Sequence, residues 1–143
     1  MPHRDVTFLL VEDDDVEIMV LKRSFEQLKI ANNIIVAHDG IEALEALRGE
    51  NDRVKISSPY IILLDLNMPR MNGHEFLAEL RMDESLQKTI VFVLTTSSLE
   101  TDRCKAYTRN VAGYFVKSNI HGLLDILGTY ADHVEFPELS NVG

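Results

Sequence analysis

The chain has a single cysteine, Cys104, so it cannot form a disulfide within itself. A lone thiol in a charged chain fits a reducing compartment. No base stands near it in sequence to activate it, and it reads as a small residue on a helix face. No apolar run approaches the ~20 residues that a membrane-spanning helix needs. The acidic stretch "VEDDD" (11–15) arrives too early for a secretory signal peptide. Bases are scarce: 14 Lys and Arg against 23 Asp and Glu leave a net charge of −9. Such a surface repels phosphate backbones, which argues against nucleic-acid binding. There is no basic amphipathic stretch for an anionic membrane surface, and no repeat, linker or low-complexity tract. These absences point to a cytoplasmic protein. The 143 residues are 45% hydrophobic and 26% charged, the balance of one soluble domain with a real core.

Five short apolar segments punctuate the sequence: "VTFLLV" (6–11), "NIIVAH" (33–38), "YIILL" (60–64), "IVFVL" (90–94) and "GYFV" (113–116). They are rich in Val, Ile, Phe and Tyr, as strands are. Most are apolar throughout, which predicts strands covered on both faces and hence a parallel sheet. Helical spacing fills the gaps. Ile18, Leu21, Phe25 and Leu28 recur within 15–29; Ile41, Leu44 and Leu47 within 40–48; Phe76, Leu77 and Leu80 within 73–82. The clearest stripe runs through 119–134, from Ile120 to Val134. The segment 98–108 has only Leu99, Cys104, Ala106 and Tyr107 to bury, with Ser97 and Glu100 placed for a capping box. Its weak stripe predicts a lightly anchored helix. Strand–helix alternation repeated five times predicts an α/β three-layer sandwich. Five strands favour the flavodoxin-like order 2-1-3-4-5 over a six-stranded alternative. The residues 1–143 form one predicted domain, with its core at about 5–134, a polar loop at 49–59 and a tail at 135–143.

In such sheets the working crevice lies at the carboxyl ends of the strands. Strand one ends in Glu12 and Asp13, strand three in Asp65, strand four in Thr95 and Thr96, and strand five in Lys117. Three carboxylates in one confined place raise each other's pKa. A hard divalent cation relieves that repulsion, and a few carboxylates with several waters suit Mg²⁺, or Mn²⁺ in its place. One of Asp13 and Asp14 can instead cap the following helix. Lys117 needs a counter-charge, and Asp65 is the natural one. Together these groups describe a site for a small oxyanion on Asp65, with metal, ammonium and hydroxyl each holding an oxygen of a transferring phosphoryl group. Asp65 is then the nucleophile, forming an acyl phosphate. On this reading Asp65 is presented to a donor rather than buried.

At this point the chain resembles the response-regulator receiver domain of two-component signalling. The likeness spans about residues 5–134 and rests on "LLVEDD" (9–14), "ILLDLNMPRMNG" (62–73), "VLTTSS" (93–98) and "GYFVKS" (113–118), in order and each at a predicted strand end. The resemblance implies Asp65 as phosphoacceptor. It implies Mg²⁺ on Glu12, Asp13, Asp65 and the backbone carbonyl of Asn67, Thr95 on a phosphoryl oxygen, and Lys117 on the phosphoaspartate. Tyr114 matches the family's switch aromatic, which turns inward as the threonine moves toward the phosphate. Thr96 and Asn67 match positions that tune the lifetime of the phosphorylated state. A sensor histidine kinase or phosphotransfer protein is the implied donor. The fourth helix, fifth strand and fifth helix form the implied output surface, for a downstream protein or a homodimer. The chain leaves no room for an output domain, so output is expected through protein–protein contact. Ser118 stands where the family usually has a proline in a cis peptide, and a trans bond is expected before a non-proline residue. The long loop at 49–59 is similar to that of single-domain regulators paired with phytochrome-type kinases.

Three rival readings remain at this level. An aspartyl-nucleophile phosphatase wants an acid two residues after the nucleophile, where this chain has Asn67. A flavodoxin-type electron carrier wants a hydroxyl- and glycine-rich first loop, where this chain has "VEDDDVE". A degenerate receiver serving only as a binding module gains weight from the missing proline. His74 reads as a surface helix residue and not a ligand.

Overall fold

Tyr60–Leu64 is strand β3, and all five of its residues are buried. That follows from its place in the sheet. The computed structural model describes residues 6–133 and 136–137. In it β3 lies between β1 (Thr7–Val11) and β4 (Ile90–Thr95), with β2 (Ile34–Ala37) and β5 (Gly113–Val116) at the edges, in the order β2-β1-β3-β4-β5. All four pairings are parallel. The helices are α1 (Asp15–Gln27), α2 (Gly40–Arg48), α3 (Gly73–Met82), α4 (Glu100–Thr108) and α5 (Ile120–His133). This is the flavodoxin-like arrangement that the alternating pattern predicts. Val134 and most of the expected tail 135–143 lie outside the described residues.

Side chains alternate across a strand, so each central strand feeds two cores. Leu9, Val11, Ile62, Leu64, Val91 and Val93 pack with Leu44 and Leu47 of α2, Phe76, Leu77 and Leu80 of α3, and Ala106 of α4. Phe8, Leu10, Ile61, Leu63, Phe92 and Leu94 pack with Ile18, Leu21 and Phe25 of α1 and Leu123, Leu124 and Leu127 of α5. Two-sided burial explains why β3 and β4 carry no polar alternation.

Three local expectations change. Helix α1 stops at Gln27 because Lys29 enters the left-handed region (φ 58°), and Leu28 is exposed instead of joining the stripe. No Ser97–Glu100 capping box forms. The N-cap of α4 is Leu99, without a side-chain cap bond, so Glu100 is the first helical residue rather than the third; Ser97 lies two residues before the cap and its hydroxyl donates to Asp102 Oδ2 at 2.6 Å. Of the four residues available to bury on α4, only Ala106 is buried; Leu99, Cys104 and Tyr107 are exposed. Helix α4 lies toward the β5 edge, where little sheet remains to be covered. The loop 49–59 is tied back onto α2 by buried Ile56, whose N–H donates to the Ala46 carbonyl, and by Arg53 on Glu45.

Two features fix the loops that matter below. Gly73 opens α3 against the backbone of β3's end: a Cβ there would lie 2.5 Å from the Asp65 carbonyl oxygen and 2.7 Å from Leu66 Cα. Only glycine permits that approach. Arg81, near the end of α3, donates to the carbonyls of Gln87, Thr89, Arg109 and Asn110 at 2.7–3.0 Å. It ties the loops entering β4 and β5 to one guanidinium. Replacing Arg81 with Met keeps its apolar stem and strips these bonds; we expect a loss of about 1–3 kcal/mol in unfolding free energy, read as a lower urea midpoint.

Candidate functional site

The strand ladders continue one residue past β1 and β3. Glu12 N–H donates to Ala37 O at 2.9 Å and Asp65 N–H to Val11 O at 3.0 Å. The two acids are therefore held by backbone bonds at adjacent positions on the carboxyl edge of the sheet. Asp14 takes the capping role: its Oδ1 accepts from Val16 N–H at 2.8 Å and Glu17 N–H at 3.3 Å. That leaves Asp13 free to face the site. One carboxylate oxygen from each of Glu12, Asp13 and Asp65 lies within 4.8 Å of the others.

Two expectations are corrected. Asp65 is not presented to solvent: it is 5% exposed, and its Oδ1 is buried without a hydrogen-bond partner. The first turn of α3 closes over its backbone at Gly73, and a groove lined by Asp13, Leu66, Asn67, Pro69, Asn72 and His74 runs beside it. Nor is Asp65 the chief partner of Lys117. The ammonium lies 2.5 Å from Glu12 Oε1 and 3.8 Å from both Asp65 Oδ2 and Glu17 Oε2. Glu12 has one more methylene than aspartate and reaches further toward β5, and as a buried charge it needs a cation.

The charge balance is uneven. Burial pushes the Glu12 carboxyl up to about 7; the Asp65 charge adds to the rise, and the hydrogen bond from Lys117 works against it. Burial pulls Lys117 down, but its bond to Glu12 and the charges of Asp65, Glu12 and Glu17 outweigh that, so its pKa is raised. Three carboxylates, one of which carries a buried, unpartnered oxygen, fit a hard divalent cation.

Thr95 ends β4 fully buried, with Oγ1 accepting from Ser97 N–H at 3.3 Å. The half-buried Tyr114 donates its hydroxyl to the Ser97 carbonyl at 2.9 Å, so its ring is turned toward the β4–α4 loop. Asn67 and Thr96 are exposed. The Lys117–Ser118 bond is trans, and a 3-10 turn, Lys117–Asn119, runs straight into α5. The structure thus gathers Glu12, Asp13, Asp65 and Lys117 in one cluster, and ties Thr95 of β4 and Tyr114 of β5 to Ser97 on the neighbouring β4–α4 loop.

Sequence reasoning missed several contributors. Glu17 joins the Lys117 cluster from α1. Buried Asp39 caps α2 through Glu42 N–H and holds Arg70 Nε at 2.6 Å, clamping the β3–α3 loop to the β2–α2 turn. An Asp before a helical stripe is a readable cap signal; its second bond to Arg70 is not. His74 is not a free surface residue: its side chain is 19% exposed, and Nε2 lies 3.0 Å from Asp102 Oδ1.

Comparison with known proteins agrees with this geometry. The sequence profile of the response regulator receiver domain matches residues 8–127. The chain belongs to the response regulator receiver family. Among curated relatives, this receiver is 38% identical over 109 residues to the probable methanogenesis regulatory protein FilR2 of Methanothrix harundinacea, covering 76% of this chain and 70% of that one. It is 34% identical over 110 residues to response regulator Rcp1 of Synechocystis, covering 77% and 75%. The phosphorylated cyanobacterial phytochrome response regulator RcpA superposes with TM-score 0.79 at 31% identity, over 92% of this receiver and 98% of RcpA. The Mn²⁺-bound form of Rcp1 gives 0.78 at 30%, over 96% and 100%. The family is a signalling domain rather than a conventional enzyme, and receiver domains interact with histidine kinases or phosphotransfer proteins. No helix among the described residues is long and apolar enough to cross a membrane.

The Glu12 shift has a definite sign. A carboxyl raised from 4.5 to about 7 keeps its proton in the folded state after the unfolded chain has lost its own. In metal-free protein the Glu12 contribution to stability therefore falls as pH rises from about 4.5 through about 7. Glu12→Gln, which cannot ionise, should flatten that part of the profile, so that the variant gains on the parent between pH 5 and pH 8. Urea midpoints at the two pH values in a chelator measure this. An unchanged difference would mean that Glu12 is ionised throughout.

Proposed function

We propose that Asp65 accepts a phosphoryl group from a phosphohistidine, carried by a sensor histidine kinase or phosphotransfer protein, and that the acyl phosphate resets the α4–β5–α5 surface. A carboxylate oxygen of Asp65 attacks phosphorus as the P–N bond breaks, and the imidazole nitrogen leaves with the electron pair. The observation that carries this is Asp65 Oδ1, buried and without a partner beside two further acids and one ammonium. An oxygen kept free of hydrogen bonds in a low-dielectric place is costly unless chemistry uses it.

Glu12, Asp13, Asp65 and the Asn67 carbonyl are the groups we assign to Mg²⁺ or Mn²⁺, which supplies charge neutralisation for the crowded acids and the incoming oxyanion. That RcpA was crystallised phosphorylated and Rcp1 with Mn²⁺ supports both halves of the reading. Asp65 has two oxygens, so one would be available to hold the cation while the other attacks phosphorus. A cation held by Glu12 would take over from Lys117 as its counter-charge. The ammonium, already 3.8 Å from Asp65 Oδ2, is then free to turn to the phosphoaspartate. Thr95 offers a hydroxyl to a phosphoryl oxygen, Tyr114 reports its position, and Asn67 and Thr96 flank the acyl phosphate against water. Helix α4, with one buried residue, is the element that a shift of this size can move. The moved surface is the one we assign to a downstream protein or to a second copy of the chain.

Acetyl phosphate with Mg²⁺ should label the protein once, and Asp65→Asn should abolish the mass shift. Label retained on that variant would move the nucleophile elsewhere. Lys117→Ala should slow labelling by about a hundredfold, the scale of removing one charge-stabilising donor. It should also leave the Tyr114 ring environment unresponsive to whatever label forms. A Tyr114 response of full size in labelled Lys117→Ala would remove Lys117 from the coupling.

A further inference from the structure

The groove beside the acidic cluster has a second wall, formed by His74 and Asp102, and neither has a part in the chemistry above. His74 is the first residue after Gly73, the glycine packed on the Asp65 backbone, and it sits in the first turn of α3. Its Nε2 is 3.0 Å from Asp102 Oδ1 on α4. An ionised carboxylate only accepts, so Nε2 carries the proton. Asp102 is held below the usual carboxylate range by the Ser97 hydroxyl first and by His74 next, so it serves both donors as an anion at neutral pH. Its other oxygen accepts from Ser97 Oγ at 2.6 Å.

Ser97 is then fixed at every polar atom. Its Oγ donates to Asp102 and accepts from Leu99 N–H at 3.3 Å. Its carbonyl receives the Tyr114 hydroxyl at 2.9 Å. Its N–H donates to Thr95 Oγ1 at 3.3 Å. That last bond fills an acceptor site on the threonine oxygen and leaves the hydroxyl's own proton free for another acceptor. A continuous line of hydrogen bonds thus runs from the turn packed on Asp65 to the Thr95 hydroxyl and the Tyr114 ring. It crosses α3, α4 and β5 through a single serine.

We propose that His74 and Asp102 are positioning residues for phosphoryl transfer: through Ser97 they brace the β4–α4 loop against the first turn of α3, so that the Thr95 hydroxyl is offered with its proton free and Tyr114 is held on the same loop. This inference rests on the reading of Asp65 as acceptor and Thr95 as a phosphoryl contact. The brace also supplies α4 with the anchor that its apolar face lacks, since Ala106 is its only buried residue.

The test uses full-length protein labelled by acetyl phosphate with Mg²⁺, in His74→Leu, Asp102→Ala and the conservative His74→Gln and Asp102→Asn, with Glu100→Gln on exposed α4 surface as control. In parallel, ring resonances of isotopically labelled tyrosine are followed in the unphosphorylated proteins, with Tyr114→Phe identifying the Tyr114 signals. We expect His74→Leu and Asp102→Ala to lower the saturating rate of labelling by about tenfold, the scale of a modest misplacement of one reacting group. The half-saturating donor concentration should stay unchanged and the Tyr114 signals should shift. His74→Gln and Asp102→Asn should recover much of both, and Glu100→Gln should match the parent. Parent-like rate and Tyr114 signals in His74→Leu and Asp102→Ala would overturn the proposal. So would a change confined to half-saturation, or an equal loss in Glu100→Gln. If the parent takes no label at Asp65, the functional reading fails by itself, and the Tyr114 signals still decide whether the brace exists.

Discussion

Two carboxylates buried at the end of a parallel sheet, with a third beside them and one ammonium to share, are the constraint on which the rest depends. Glu12 and Asp65 are 3% and 5% exposed, so neither is shielded by water as a surface acid is. The sheet holds them there because their own N–H groups extend the ladder past β1 and β3. Moving either away would break backbone bonds as well as side-chain contacts. The site is thus built to be short of positive charge. Lys117 relieves Glu12 most directly, and Asp65 is left with an oxygen that nothing satisfies.

That imbalance organises the neighbouring loops. Asp14 is spent on the α1 N-terminus, which keeps it from adding to the cluster. Gly73 lets α3 start directly on the Asp65 backbone, and the Asp39–Arg70 pair pins the same loop from its other side. Partly buried Met68 and Met71 pack it down onto the α2–α3 core. Asp65 is tied in on three sides, by β1, α3 and the β2–α2 turn. Burial is thin in α4 and the β4–α4 loop, where polar bonds do the holding. This division suits the proposed switch: a tied-down place in which charge would change and a thinly buried element that could answer it.

Much of this was legible in the sequence, for a local reason. The five apolar runs and the stripes between them depend on residues a few positions apart, and their periods survive whatever the tertiary context. The acids, hydroxyls and lysine at strand ends were legible because a parallel sheet puts every strand's carboxyl end on one edge. The misreadings were of another kind. Leu28 looked like the next member of a stripe, but Lys29 ended the helix first. Ser97 and Glu100 have capping-box spacing, yet the helix starts at Glu100 itself, which leaves Ser97 two residues before the N-cap. Asp65 looked presented because an acid after a buried strand suggests exposure, and the fold closed α3 over it.

The sequence by itself determined the element order, the parallel sheet and which residue types meet at its working edge. Only the tertiary structure decided who pairs with whom there. Lys117 and Glu12 are 105 residues apart, His74 and Asp102 are 28 apart, and Arg70 and Asp39 are 31 apart. Periodicity places a side chain on a face or at an edge. It cannot rank the acceptors within reach of one ammonium or one imidazole. That ranking depends on ångström differences in reach and on burial, which exist only after the layers have packed.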